Sequence, residues 1–134
     1  MIENILAETP ILFIEENRSD VALIKAAFKK AEIGHPLVHF FNGTDAIAYL
    51  NLDPPVPAFI ILDINLQGKN GYELLRFIRT NVRLLNTKVL LFSAEERPDE
   101  AKMGKYRPDS YIIKPRNFDD YQIIVNSLCE QWLK

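Results

Sequence analysis

Four short apolar runs, Ile11-Leu12-Phe13-Ile14, Phe59-Ile60-Ile61-Leu62, Val89-Leu90-Leu91-Phe92 and Tyr111-Ile112-Ile113, contain no polar residue at alternate positions. A strand with one face in water alternates apolar with polar. A run without alternation must be covered on both faces, as the central strands of a parallel sheet are. A fifth run, Leu37-Val38-His39-Phe40-Phe41, is broken by His39 and reads as a strand nearer an edge, with His39 an ordinary strand side chain. Between the runs the apolar spacing changes to that of a helix. Val21, Ile24, Phe28 and Ala31 share one face of a helix that Ser19 can cap and that Gly34 and Pro36 end. Thr44 can cap a second through Ala46, Ile47 and Leu50, before Pro54, Pro55 and Pro57. Residues 71–80 carry Leu74, Leu75 and Ile78. A fourth helix is expected near 96–105, short and poor in apolar residues, with Pro98 early and Gly104 late. The last, 118–133, repeats Phe118, Tyr121, Val125, Leu128 and Trp132 at 3-4-3-4 spacing.

Strand and helix thus alternate five times within 134 residues, without linker or repeat. Such alternation means a parallel sheet with right-handed crossovers and helices on both faces. The expected class is α/β: a flavodoxin-like, doubly wound, five-stranded sheet of order 2-1-3-4-5. The formal net charge of -2 argues against nucleic acid or an anionic membrane as partner, since both need a basic face. The single cysteine, Cys129, has no internal disulfide partner and falls in the last helix as a buried or half-buried thiol. Glu3 and Glu8 interrupt the first apolar stretch, so it is no secretory signal, and no apolar run reaches membrane-spanning length. A cytoplasmic protein is expected.

In this architecture ligands bind beyond the carboxyl ends of the strands, where the strand order reverses. Strand 1 runs into Glu15 and Glu16, strand 3 into Asp63, strand 4 into Ser93 and strand 5 into Lys114. Strands 1 and 3 are neighbours at the reversal, so their three carboxylates should converge, with Ser93 and Lys114 flanking Asp63. Taken singly, each has a plainer explanation: a solvated loop for the glutamates, a loop cap for Asp63, a strand end for Ser93. Four strands of five delivering such groups to one edge is the stronger observation. Carboxylates this close repel each other, and a hard, oxygen-preferring cation such as Mg²⁺ would relieve the repulsion.

These stretches, together with Asn17, Asn65, Ala94, Pro115 and Gly71 eight residues after Asp63, closely resemble the response regulator receiver domain of two-component systems along nearly the whole chain. The start Glu16-Asn17-Arg18-Ser19-Asp20-Val21 and the ending Gln131-Trp132-Leu133 look most like single-domain regulators that work with bacterial phytochrome kinases. The resemblance implies that Asp63 accepts a phosphoryl group from a phosphohistidine on a sensor histidine kinase. Glu16, Asp63 and the carbonyl of Asn65 would hold Mg²⁺, with Glu15 acting through water. Lys114 would pair with the acyl phosphate. Ser93 and Tyr111 would be the switch pair, and Asn65 and Glu95 would border the hydrolytic water and set a short phosphoryl lifetime. The receiver would span 8–134, residues 1–7 being an N-terminal extension, with no output domain. Signalling would then run through contacts with a downstream protein or a relay, and the chain would be no enzyme beyond its self-phosphorylation and self-dephosphorylation.

Three positions depart from the family pattern. Glu16 stands where aspartate is usual and is one methylene longer, enough to move a bound metal by roughly an ångström. Gln67 replaces a common proline. Pro98, Gly104 and Pro108 mark an unusual fourth-helix region. The first departure keeps open a degenerate pseudo-receiver that binds proteins independently of phosphorylation. A phosphatase of the haloacid-dehalogenase type would want Asp-x-Asp after strand 1. A flavin site would want a Ser/Thr/Gly-rich loop there, and no G-x-G-x-x-G or P-loop occurs. The last helix's stripe runs further than one sheet needs, which predicts a homodimer through the face made by the fourth helix, fifth strand and fifth helix.

Overall fold

Five parallel strands and five α-helices alternate through the residues that the computed structural model describes, 9–66, 70–94 and 97–133. The strands are β1 (Ile11–Ile14), β2 (Leu37–Phe40), β3 (Phe59–Asp63), β4 (Lys88–Ser93) and β5 (Ser110–Ile113). The helices are α1 (Arg18–Ala31), α2 (Gly43–Leu50), α3 (Gly71–Thr80), α4 (Glu100–Met103) and α5 (Phe118–Trp132), with a 3₁₀ turn at Val82–Leu84. The sheet order is β2-β1-β3-β4-β5, every pairing parallel. This is the expected flavodoxin-like arrangement. Among the described residues no helix is long and apolar enough to cross a membrane.

The unbroken apolar runs are explained by two cores, one on each side of the sheet. Leu12, Ile14, Ile60, Leu62, Val89 and Leu91 pack toward α2 and α3. Ile11, Phe13, Phe59, Ile61, Leu90 and Phe92 pack toward α1 and α5. The α5 stripe belongs to the second core. Tyr121, Val125 and Leu128 are buried, and the Trp132 ring meets Phe59 edge-on at 5.3 Å. The reach of the stripe through Trp132 is therefore accounted for at least in part by the sheet, since Trp132 is half-buried against it. Cys129 is half-buried, and burial pushes its thiol pKa up.

Helix starts follow a different rule from the expected one. Ser19 lies inside α1 and Thr44 inside α2; the capping residues are Asn17 and Asn42. Asn70 and Asn117 cap α3 and α5 in the same way. In each case the asparagine side chain accepts from the amide three residues on, and that residue is Asp20, Asp45, Glu73 or Asp120. An amide oxygen satisfies an orphan N–H as well as a hydroxyl does, and the acid adds charge where the helix dipole favours it. The fourth helix is one turn, capped by Asp99 and ended by Gly104 at φ 59°. Pro98 and that left-handed glycine bracket it, and Met103 is its one buried side chain. Glu96 lies outside the described residues.

Gly71 fixes the distance between β3 and α3. A Cβ there would lie 2.5 Å from the Asp63 carbonyl oxygen and 2.5 Å from the Ile64 Cα. Its N–H donates to the Ile64 carbonyl at 2.9 Å. Backbone on both sides leaves nothing flexible to yield. Gly71→Ala should therefore destabilise the fold by roughly 1–3 kcal/mol, as overpacking of backbone does. Urea unfolding of the two proteins checks it.

Candidate functional site

Strand register and parity build the site. Ile14 pairs with Leu62, so the next residues, Glu15 and Asp63, emerge side by side at the carboxyl edge. The ladders continue one step past the strands: Glu15 N–H donates to the Phe40 carbonyl (3.0 Å), and Lys114 N–H to the Ser93 carbonyl (2.7 Å). Glu15, Asp63 and Lys114 share parity with Phe13, Ile61 and Ile112, which face α1 and α5. Glu16 falls on the opposite parity and is half-exposed. His39, on the edge strand, places Nε2 2.8 Å from the Glu15 carbonyl and steadies this strand end.

Lys114 is the hub. Its ammonium lies 2.7 Å from Glu15 Oε1, 3.2 Å from Asp63 Oδ2 and 3.2 Å from Asp20 Oδ2. The Glu15 contact is a close ion pair without an aligned hydrogen bond. The other oxygens are engaged as well. Asp63 Oδ1 accepts from the Asn65 N–H at 3.0 Å, and Glu15 Oε2 from the Asn17 N–H at 3.2 Å. Asp20 Oδ1 accepts from the Tyr121 hydroxyl at 2.7 Å. Glu15 is fully buried and Asp63 is 2% exposed, so these charges interact through little water.

The charge balance shows in the ionisation of the groups. Burial, and then the neighbouring Asp63 carboxylate, push the Glu15 pKa up to about 8 despite Lys114. Burial alone would pull Lys114 down, but Glu15, Asp63 and Asp20 outweigh it and hold the ammonium above the ordinary lysine range. Burial, then Asp20, raise the Tyr121 phenol.

Of the residues expected from sequence, Glu15, Asp63 and Lys114 come together. Asn65 reaches Asp63 through its backbone, its own side chain being exposed. Ser93 is fully buried at the end of β4, and Tyr111 packs half-buried against the core on the α2–α3 side, so the two share the opposite face from Lys114. Glu95 lies outside the described residues. Asp20 and Tyr121 are the site residues that sequence reasoning missed. The signal available was parity: Glu15, Asp63 and Lys114 all face α1 and α5. Among the described residues, no three carboxylate, imidazole or thiol groups stand as a metal-holding cluster by themselves.

Glu15 makes metal-free stability depend on pH. Its carboxyl has an ordinary value of 4.5 in the unfolded chain and about 8 in the fold. Between these values the folded state holds the extra proton, so this contribution is complete below about 4.5 and is lost as pH rises through about 8. In chelator, Glu15→Gln should flatten that fall and be the more stable protein at pH 8, by roughly 1–3 kcal/mol. Thermal melts across pH 4–9 read both.

Residues 11–126 match the response regulator receiver domain family. The chain is 28% identical to the response regulator Rcp1 of Synechocystis sp. over 92% of this chain and 88% of that one. The crystal structure of Mn²⁺-bound Rcp1 superposes with a TM-score of 0.82 at 28% identity, covering 94% of this chain and 95% of that one. The phosphorylated cyanobacterial phytochrome response regulator RcpA does so with 0.84 at 28% identity, covering 95% of each. With the fold, the strand-end acids and the lysine in register, the chain belongs to the response regulator receiver domain family and is homologous to phytochrome response regulators.

Proposed function

We propose that Asp63 accepts a phosphoryl group from a phosphohistidine on a sensor kinase of the phytochrome type, in the presence of Mg²⁺, and that the modified chain signals by protein contact. The observation that carries this is the Lys114 ammonium held 3.2 Å from a nearly buried Asp63 at the carboxyl edge of the sheet. Asp63 Oδ2 attacks phosphorus. The P–N bond breaks as the P–O bond to Asp63 forms, and its electron pair stays on the kinase imidazole. Little covalent help is needed for such a transfer, and positioning plus charge neutralisation carry most of it. The Asn65 N–H fixes Oδ1 and so aims Oδ2. Lys114 meets the charge gathered on the phosphoryl oxygens.

The donors suit a hard cation. Glu15, Glu16, Asp63 and the Asn65 carbonyl offer only oxygen, and Glu15, Asp20 and Asp63 around one lysine leave negative charge uncompensated. Mg²⁺ bound there supplies further neutralisation of the phosphoryl oxygens. The manganese-bound and phosphorylated relatives support both parts of this assignment. Ser93 and Tyr111 act as the switch pair on the opposite face of the sheet. Asn65 and Glu95 set a short lifetime for the phosphoryl group. Homodimerisation through α4, β5 and α5 belongs to the same proposal, with Ile113 and Ile123 as its exposed apolar side chains.

Intact-mass spectrometry after incubation with Mg²⁺ and acetyl phosphate tests the chemistry. One phosphoryl adduct is expected on the wild type, none on Asp63→Asn, and none in chelator. Sedimentation of the same samples reads the dimer. No adduct, from acetyl phosphate or from a phosphohistidine donor, would make the chain a pseudo-receiver that binds proteins independently of phosphorylation.

A further inference from the structure

Helices α2 and α5 open with the same Asn-x-x-Asp box, and in both the acid turns back to its asparagine. Asn42 Nδ2 donates to Asp45 at 3.0 Å, and Asn117 Nδ2 to Asp120 at 3.1 Å. Asp20 occupies the same position after Asn17, and its amide makes the same capping bond. Its carboxylate, however, turns into the site. One oxygen accepts from Lys114 and the other from the Tyr121 hydroxyl, residues 94 and 101 positions away in sequence. Tyr121 is fully buried on α5, its ring edge-on to Phe92 of β4. A single carboxylate therefore joins the ammonium beside Asp63 to the last helix.

We propose that Asp20 is a positioning residue that couples the state of Asp63 to the placement of α5, by competing for Lys114 and passing the change to Tyr121. The inference rests on Asp63 being the phosphoacceptor. In the unmodified chain Lys114 is shared among Glu15, Asp20 and Asp63. A phosphoryl group replaces one negative charge at Asp63 with about two, carried on oxygens that reach further toward the ammonium. Lys114 then leaves Asp20 for the phosphoryl oxygens. Asp20, 19% exposed, turns toward water to recover solvation. That movement takes the acceptor from a buried hydroxyl, and a buried hydroxyl must find another. Tyr121 cannot do so without moving the helix it sits on. The route runs on the α1–α5 side of the sheet and is separate from Ser93 and Tyr111, which lie on the other.

Trp132 is the chain's one tryptophan, sits on α5 and packs on Phe59 of β3, so its emission reports the seating of α5 on the phosphoacceptor strand. The experiment follows that emission and the intact mass in the same samples, with Mg²⁺ and acetyl phosphate. The wild type should show an emission change that tracks the adduct. Tyr121→Phe, which lacks only the hydroxyl, should take up the adduct and lose the emission change. Asp20→Asn keeps an oxygen for Tyr121 but not the charge that competes for Lys114; it should also lose the change, and its adduct should decay at a different rate. Val125→Ala loosens α5 in the core without touching Asp20 and should keep the change. An adduct without an emission change in the wild type overturns the coupling. So does a wild-type response in Tyr121→Phe, or a loss in Val125→Ala equal to that in Tyr121→Phe. No adduct at all in the wild type overturns the phosphoacceptor assignment, and the coupling with it.

Discussion

Lys114 holds together a set of groups that would otherwise repel each other. Glu15, Asp20 and Asp63 arrive from three different elements, and each is within 3.2 Å of its ammonium. Remove the cation and two nearly water-free carboxylates face each other beside a third. Their repulsion could be relieved only by protonation, by opening the strand ends, or by another cation. Because the ammonium sits among acids and is not buried alone, it stays charged, and Glu15 is the group whose ionisation gives way. The strand ends are thus held in a state of incomplete neutralisation, which suits a site meant to receive further charge.

The scaffold serves that arrangement. Parallel strands bring all their carboxyl ends to one edge, and the order β2-β1-β3-β4-β5 sets Glu15 next to Asp63 at the reversal. Gly71 lets α3 begin against the backbone of Asp63 and Ile64 without a side chain between them. On the opposite flank, Asn17 starts α1 early enough for Asp20 to face the site. Far from this edge, Arg79 ties α3 to the base of the sheet through the Thr87 and Arg107 carbonyls and Asp109, whose carboxylate also caps the Val89 amide. Both ends of the sheet are held by charge, but differently: at the far end Asp109 is matched by Arg79 and Lys88, whereas at the site edge three acids share one lysine.

Much of this was legible in the sequence, for a physical reason. Strands covered on both faces must be apolar at every position, so the runs at Ile11, Phe59 and Val89 announced themselves, and the first polar residue after each run marked the site edge. What was not legible depended on rotation about a helix axis. Placing the cap at Ser19 makes Asp20 the first helical residue; with Asn17 as the cap it is the third, about 200° further round. The fifth-helix stripe gave Tyr121 a place in the core but gave no sign that its hydroxyl would find an acid 101 residues earlier. At its far end the stripe does not reveal that the Trp132 ring meets Phe59, a contact between residues 73 positions apart. Consecutive residues at a strand end also fall on opposite faces, so Glu15 is buried beside Lys114 while Glu16 is half-exposed, a difference that two adjacent glutamates do not show in sequence.

One ammonium, that of Lys114, holds the acidic edge together. The most direct test is the stability of Lys114→Met against wild type in chelator, measured by urea unfolding at pH 7 and again near pH 4. Methionine fills most of the lysine's volume without its charge, so packing is nearly retained. The variant should be less stable at pH 7 by about 3 kcal/mol, the cost of leaving buried charge unpaired. The deficit should shrink toward pH 4 as the carboxylates take up protons. Equal stability at pH 7, or a deficit that does not change with pH, would contradict it.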